Sequence, residues 1–132
     1  MTQASHYLVD TGVFILYLRR NHSASAIDFL RSTAAVIYYS RITRKELLRP
    51  PVSARDHREV LAVLHRYRIV NPDAQIAEVL AALLENYPYL RDHLADALIA
   101  ATAWKKNLEV VTTNPPHFTP ITEIHVRRFP ED

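Results

Sequence analysis

Short apolar runs alternate with longer amphipathic stretches along the chain. Residues 6–10 (HYLVD), 35–39 (AVIYY) and 108–112 (LEVVT) are rich in residues that favour strands, and each is short enough to be a buried strand. Residues 69–70 predict a very short strand, and residues 121–126 predict a last one. The pattern therefore indicates a sheet built from short segments that are far apart in sequence.

Helical patterns fill the intervals between these strands. The clearest has apolar residues at i, i+3, i+4, i+7 and i+8, namely Ile76, Val79, Leu80, Leu83 and Leu84. Three predicted helices cover residues 11–20, 24–32 and 53–68. Three more are bounded by specific residues: one begins at Ser40 or Thr43 and ends before Pro50, one runs from Asn71-Pro72-Asp73 to Tyr87-Pro88, and the last ends near Asn107. Strands that alternate with helices or helix pairs predict an α/β domain, with a mostly parallel central sheet and helices on both faces.

Composition is that of an ordinary globular protein. The chain has 132 residues, of which 48% are hydrophobic and 23% charged, and we expect one domain over residues 1–132. It has no apolar run of ~18 residues that would cross a membrane. Its start lacks a basic segment followed by a long apolar one, so no signal peptide is predicted. With no cysteine in the chain, we expect a cytoplasmic protein without disulfides or thiolate metal sites.

Several classes of enzyme are disfavoured by residue content. Gly12 is the only glycine, which excludes the glycine-rich phosphate loops of the dinucleotide and Walker types. No serine lies in a nucleophile elbow, and no cysteine is present, so a hydrolase that uses either nucleophile is not expected.

Positive charge is concentrated rather than abundant. A net charge of +2 permits a nucleic-acid partner without requiring one. Arg41, Arg44, Lys45 and Arg49 lie close together in one predicted helix. This cluster is either a solvated helix face or a set of phosphate contacts.

Three acids are placed where a parallel sheet gathers its ligands. Asp10 ends the first predicted strand, Glu46 lies in the helix after the second, and Asp96 lies in the helix that leads into the third clear strand. Asn114 follows that strand by two residues. Because ligands of such sheets bind at the carboxyl ends of the strands, these groups have a common location. Mg²⁺ and Mn²⁺ prefer oxygen ligands, so the set predicts a site for a divalent cation.

Each acid also has a simpler interpretation. Asp10 could cap a turn or helix, and Glu46 could form a surface ion pair with Arg49. Asp96 and Asp92, four residues apart, could form an exposed acidic face. In HLADALIAATAWKK, however, Asp96 is surrounded by alanines, and small side chains favour close packing around it.

Histidines form no recognisable zinc motif. The seven histidines include no HxxxH or HxH pair, and we interpret most of them as surface or packing residues. His6 and His117 each flank one of the proposed site segments.

Four segments resemble those of a known family. LVDTGVFILYL, SRITRKELL, DALIAATA and VVTTNPPHF are similar to the four segments of PIN-domain proteins, specifically the VapC-type toxin ribonucleases of toxin–antitoxin pairs. The resemblance covers essentially the whole chain and implies a three-layer α/β fold. Asp10, Glu46 and Asp96 match the family's acids, and Thr112, Asn114 and Phe118 match its last segment.

This resemblance implies a metal-dependent endoribonuclease that leaves 5′-phosphate and 3′-hydroxyl ends. The catalytic acids Asp10, Glu46 and Asp96 would hold Mg²⁺ or Mn²⁺. Thr11, Thr112 and Asn114 would orient carboxylates or water, and Arg41, Arg44 and Arg49 would contact RNA phosphates. It also implies a homodimer and a cognate antitoxin that inserts a C-terminal segment, often with a basic residue, among the acids.

The chain departs from the family pattern in two places. Many relatives have a fourth acid in or just after the TxN segment, where this chain has Asn114, Pro115, Pro116 and His117. Either Asn114 takes that position, or Asp92 supplies the acid. Where relatives often have glycine before the last strand of the site, this chain has Lys106-Asn107, and asparagine tolerates the left-handed conformation that ends a helix.

Two other functions fit the sequence less well. A small phosphatase could use Asp10 as a covalent nucleophile, but the usual second acid two residues later is Gly12. A non-catalytic PIN-fold binding module would not need to keep all three acids.

Overall fold

The computed structural model describes residues 5–19, 24–32 and 34–130. Within these residues, the strands are β1 (Ser5–Val9), β2 (Ala35–Ser40), β3 (Arg68–Val70), β4 (Glu109–Thr112) and β5 (Val126–Arg128). The α-helices are α1 (Thr11–Leu18), α2 (Ala24–Arg31), α3 (Arg41–Leu47), α4 (Ala54–Leu64), α5 (Ala74–Asn86) and α6 (Leu94–Lys106). Two short 3-10 helices span Pro88–Asp92 and Pro115–His117.

All five strands form one sheet in the order β3-β2-β1-β4-β5, and every neighbouring pair is parallel. The predicted parallel sheet is thus confirmed. The chain moves outward from β1 through β2 to β3, then returns to place β4 on the other side of β1. The order therefore reverses between β1 and β4, which is the position where open parallel sheets bind ligands.

Helices cover both faces of the sheet, as predicted. Tyr7 and Val9 of β1 point into a core that α1, α2 and α4 complete. Leu8, between them, points into a second core that α5 and α6 complete. Successive residues of a strand face opposite sides, so this alternation produces a three-layer arrangement.

Helix ends follow the expected capping chemistry. The Ser53 hydroxyl accepts a hydrogen bond from the Asp56 backbone N–H at 3.0 Å, and the Asp73 carboxylate accepts one from Ile76 at 2.8 Å. Asn107 ends α6 with φ of 55°, the left-handed conformation that asparagine tolerates. No helix among the described residues is both long and apolar enough to cross a bilayer.

Three predicted boundaries were wrong. The last strand is Val126–Arg128 rather than residues 121–126, because the preceding turns direct Ile121 into the core and leave Val126 to pair with β4. The helix predicted over residues 53–68 ends at Leu64, because residues from Arg68 onward pair with β2. The first helix ends at Leu18, and Arg20, its predicted end, lies outside the described residues.

Candidate active site

Asp10 lies between the carboxyl ends of β1 and β4. Its backbone N–H donates to the Val111 carbonyl at 2.9 Å. One carboxylate oxygen, Oδ1, accepts from the Thr11 N–H at 2.8 Å, and the other, Oδ2, accepts from the Thr112 hydroxyl at 2.9 Å. The side chain therefore caps α1, and hydrogen bonds from α1 and β4 fix its orientation.

Glu46 reaches the same edge of the sheet from α3. The Thr11 hydroxyl donates to Glu46 Oε1 at 2.7 Å and lies 3.0 Å from the hydroxyl of Thr43, which is fully buried. Ser40 caps α3 directly after β2, so the helix begins at this edge. Sequence reasoning anticipated Thr11 and Glu46 but missed Thr43, which lies one helical turn before Glu46.

The three predicted acids interact electrostatically. Burial raises the pKa of Asp10 to about 6, hydrogen bonds from Thr112 and Thr11 lower it in part, and the charges of Asp96 and Glu46 raise it further. Asp10 and Glu46 make no ion pair with a cationic side chain in the described ranges. The site is therefore a cluster of negative charge at the switch point of the sheet.

Asp96 has two histidines as its nearest partners. It lies in the first turn of α6, and its Oδ2 is 2.5 Å from Nδ1 of His117. The ring of His93, the N-cap residue of α6, lies with its centroid 4.1 Å from that of His117. Ligand atoms of all three side chains lie within 4.8 Å of one another, and no other group of three or more among the described residues does so. Neither histidine was predicted as a site residue, although the sequence placed His117 beside a site segment.

Asn114 and Asp92 occupy different surroundings. The Asn114 backbone N–H donates to the Thr112 hydroxyl at 3.0 Å, and its amide nitrogen lies 2.9 Å from His117 Nδ1. Asp92 is exposed at the end of the 3-10 helix before α6. The side chain from the last segment that lies beside Asp96 is therefore His117.

The basic cluster borders a groove beside α3 and α6. Arg41, Arg44, Lys45 and Arg49 line a groove of about 510 Å³, together with apolar side chains of α3 and with Leu98 of α6. The Arg41 guanidinium donates to the Asn71 side-chain oxygen at 3.2 Å. Because α3 also carries Glu46 and α6 also carries Asp96, the groove and the acids share two helices.

Gly12 is needed because α1 passes close to the segment after β4. A Cβ atom at this position would lie 2.2 Å from the Thr113 hydroxyl oxygen and 3.3 Å from its Cβ. Alanine in a helix otherwise stabilises by ~1 kcal/mol over glycine. We expect Gly12→Ala to lower the free energy of unfolding by about 1–3 kcal/mol, as overpacking does. In a Thr113→Ala background the same change should be neutral or stabilising.

Urea denaturation of the wild type, the two single variants and the double variant measures the energetic coupling between residues 12 and 113. If the changes in the free energy of unfolding of the two single variants simply add in the double variant, contact with Thr113 is not the reason for glycine at residue 12.

A family comparison identifies the class of protein that this fold and site define. The PIN domain model matches residues 7–119. The chain therefore belongs to the PIN-domain family. A search of curated proteins finds no match.

Several solved structures share this fold. VapBC2 from Rickettsia felis, solved bound to a promoter DNA fragment, has a TM-score of 0.78 at 18% identity, covering 94% of this chain and 98% of that one. A toxin–antitoxin complex from Klebsiella pneumoniae has a TM-score of 0.74 at 27% identity, covering 89% and 94%. VapBC-1 from nontypeable Haemophilus influenzae has a TM-score of 0.74 at 20% identity, covering 93% and 97%.

Proposed function

We propose that this protein is a metal-dependent endoribonuclease and the toxin member of a toxin–antitoxin pair. The observation that carries the proposal is the position of Asp10, buried at the switch point of the sheet and within electrostatic reach of Glu46 and Asp96. Membership of the PIN-domain family and similarity to toxin–antitoxin structures support it.

The acids fit a divalent cation by the chemistry of their oxygen atoms, although the ligand atoms of Asp10, Glu46 and Asp96 do not all lie within 4.8 Å of one another. Burying negative charge is costly unless a positive charge offsets it, and the described part of the chain offers Asp10 and Glu46 no cationic side chain. Carboxylate oxygens are ligands that Mg²⁺ and Mn²⁺ prefer, so Asp10, Glu46 and Asp96 would hold such an ion. When bound, a divalent cation supplies a water of lowered pKa and offsets charge on the leaving 3′ oxygen.

Threonine hydroxyls orient two of these carboxylates. Thr112 donates to one oxygen of Asp10, and Thr11 donates to one oxygen of Glu46. Each hydrogen bond uses one lone pair and leaves others on the carboxylate, while it fixes the direction in which the side chain points. Asn114, through its backbone N–H, holds the hydroxyl of Thr112 in turn.

RNA would contact the basic groove through its phosphates. Each phosphate contact that a cation makes with single-stranded RNA contributes ~0.7 to the slope of log affinity against log salt concentration. We expect Arg41→Ala, Arg44→Ala and Arg49→Ala each to weaken RNA binding and to reduce that slope by about this amount. Fluorescence anisotropy with labelled RNA at several salt concentrations measures both quantities.

Arg58→Ala is the matched control, because Arg58 is an exposed arginine on α4. An equal loss in this variant would mean that general charge, rather than the groove, binds RNA.

Partners follow from the same reasoning. The toxin–antitoxin complexes among the structural neighbours support a cognate antitoxin, and a basic antitoxin side chain could offset the charge of the acids. We also propose a homodimer and a cytoplasmic location, as the sequence resemblance implies. Ile15, Leu94 and Trp104 are the large apolar side chains exposed in the described residues, which makes them candidates for contact with a second copy.

One assay separates this function from its alternatives. The purified protein is given Mn²⁺ with a structured RNA, a single-stranded DNA of the same sequence, or p-nitrophenyl phosphate, and product ends are mapped. Internal cleavage of RNA, with 5′-phosphate ends, supports the proposal. Hydrolysis of the phosphomonoester alone, lost in Asp10→Asn, would indicate a phosphatase. Binding of RNA without turnover of any substrate would indicate a non-catalytic module.

A further inference from the structure

His93, Asp96 and His117 form a compact mixed set of imidazole and carboxylate groups. All three are half-buried, and their ligand atoms lie within 4.8 Å of one another. We propose that this set is a binding site for a first-row transition-metal ion such as Zn²⁺ or Co²⁺, taken in preference to Mg²⁺.

The choice of ion follows from the chemistry of the ligands. Imidazole nitrogen suits Zn²⁺, Co²⁺, Ni²⁺ and Cu²⁺, whereas Mg²⁺ favours oxygen ligands and retains its waters. Two histidines and one carboxylate are a common ligand set for catalytic zinc, which leaves a position open for water. Asp96 belongs both to this set and to the cluster of acids that it forms with Asp10 and Glu46.

A hydrogen bond alone does not account for the cluster. The contact between Asp96 and His117 explains two of its members, but the His93 ring packs against that of His117 at an interplanar angle of 37° and belongs to the same close group. The Nδ1 atom of His117 also lies within hydrogen-bond distance of both Asp96 Oδ2 and Asn114 Nδ2. One ring nitrogen donates or accepts but does not do both at once, so only one of these two contacts is a hydrogen bond in a given tautomer.

The backbone holds the three side chains in place. His93 occupies the N-cap position of α6, and Asp96 lies three residues later in its first turn, so both arise from one end of a helix. His117 ends a 3-10 helix that starts with two prolines, whose rings fix φ. The Tyr89 hydroxyl donates to the His117 carbonyl at 2.9 Å, and Phe118, the next residue, is fully buried. The ligands are therefore positioned by rigid neighbours.

Binding is measured directly, without reference to cleavage. Protein prepared without a polyhistidine tag is titrated with Zn²⁺ and with Mg²⁺ by calorimetry, and Co²⁺ provides a spectroscopic probe. Paramagnetic Co²⁺ shifts the exchangeable ring N–H signals of its histidine ligands in NMR spectra. We expect two such signals in the wild-type protein, one of which disappears in His93→Gln and the other in His117→Gln.

Each histidine substitution should weaken Zn²⁺ binding by about 100-fold or more. Substituting a residue that only hydrogen-bonds to a metal ligand already lowers metal affinity by about 10–100-fold. His117→Asp replaces an imidazole nitrogen with carboxylate oxygens and should shift the ratio of Zn²⁺ to Mg²⁺ affinity towards Mg²⁺. His57→Gln, which changes an exposed histidine on α4, is the control. Circular dichroism confirms that each variant is folded.

The outcomes separate this site from the nuclease. Zn²⁺ affinity that is unchanged in both histidine variants, or no tighter than that for Mg²⁺, would overturn the site, whatever RNA cleavage shows. Histidine-dependent Co²⁺ binding without any RNA cleavage would support the site and overturn the nuclease. Only the consequence of this site for catalysis, through the shared Asp96, rests on the proposed function.

Discussion

Asp96→Asn is expected to reduce metal-dependent RNA cleavage by at least ~100-fold. Substituting a residue that only hydrogen-bonds to a metal ligand already lowers metal affinity or activity by ~10–100-fold, and removing the ligand itself should cost more. Asparagine has the same shape as aspartate but carries no charge to hold a cation. The fold should be retained, since the surrounding alanines Ala97, Ala100 and Ala101 are fully buried and unchanged. The measurement is the initial rate of RNA cleavage at saturating Mn²⁺.

Asp28→Asn is the matched control, because Asp28 is exposed on α2 and lies outside the acid cluster. Its rate should equal that of the wild type. Asp96→Asn with a wild-type rate would mean that the acid cluster is not the catalytic site.

Asp10→Asn is expected to abolish cleavage while it stabilises the metal-free protein at pH 7. The pKa of Asp10 rises from 3.8 to about 6 on folding, chiefly through burial. That rise corresponds to at most ~3 kcal/mol, so we expect a gain of about 1–3 kcal/mol when the charge is removed. Stabilisation on losing an active-site group is typical of sites that trade stability for function.

The pH dependence of this effect has a definite sign. Between about pH 4 and pH 6 the folded protein binds more protons at Asp10 than the unfolded chain does. The stability of the wild type should therefore fall as the pH rises through this window, and the advantage of Asp10→Asn should grow with it. Below pH 4 both proteins carry a neutral side chain, so the difference should vanish.

Urea denaturation in EDTA at several pH values measures this directly, with Asp28→Asn as the control. Added Mn²⁺ should stabilise the wild type and not Asp10→Asn. A variant that is less stable than the wild type at pH 7 would contradict the electrostatic account of Asp10.

Local sequence patterns were sufficient to predict most of the strands and helices. Strands β1, β2 and β4 are short runs of strand-forming residues, and Ser40, Ser53 and Asp73 cap helices close to the expected positions. The last strand could not be located in this way, because Ile121 and Val126 are both apolar. Only pairing with β4 decides that Val126 lies in the sheet.

The placement of the acids could also be predicted, because it depends on a general rule, while their role as metal ligands stays a prediction. Asp10, Glu46 and Asp96 lie on segments that a parallel sheet brings to one edge. The histidines could not be predicted in the same way. The i, i+3 spacing of His93 and Asp96 was visible, but His117 comes from a separate segment, and its position depends on a proline-rich turn packed against α6.

We propose that Asp10, Glu46 and Asp96 hold a cation that RNA cleavage requires. The most direct test is cleavage of a structured RNA by tag-free protein treated with EDTA, then supplied with Mg²⁺ or Mn²⁺, beside a Glu46→Gln variant. We expect EDTA to stop cleavage, either metal to restore it in the wild type, and Glu46→Gln to stay inactive throughout. Cleavage that persists both in EDTA and in Glu46→Gln would contradict it.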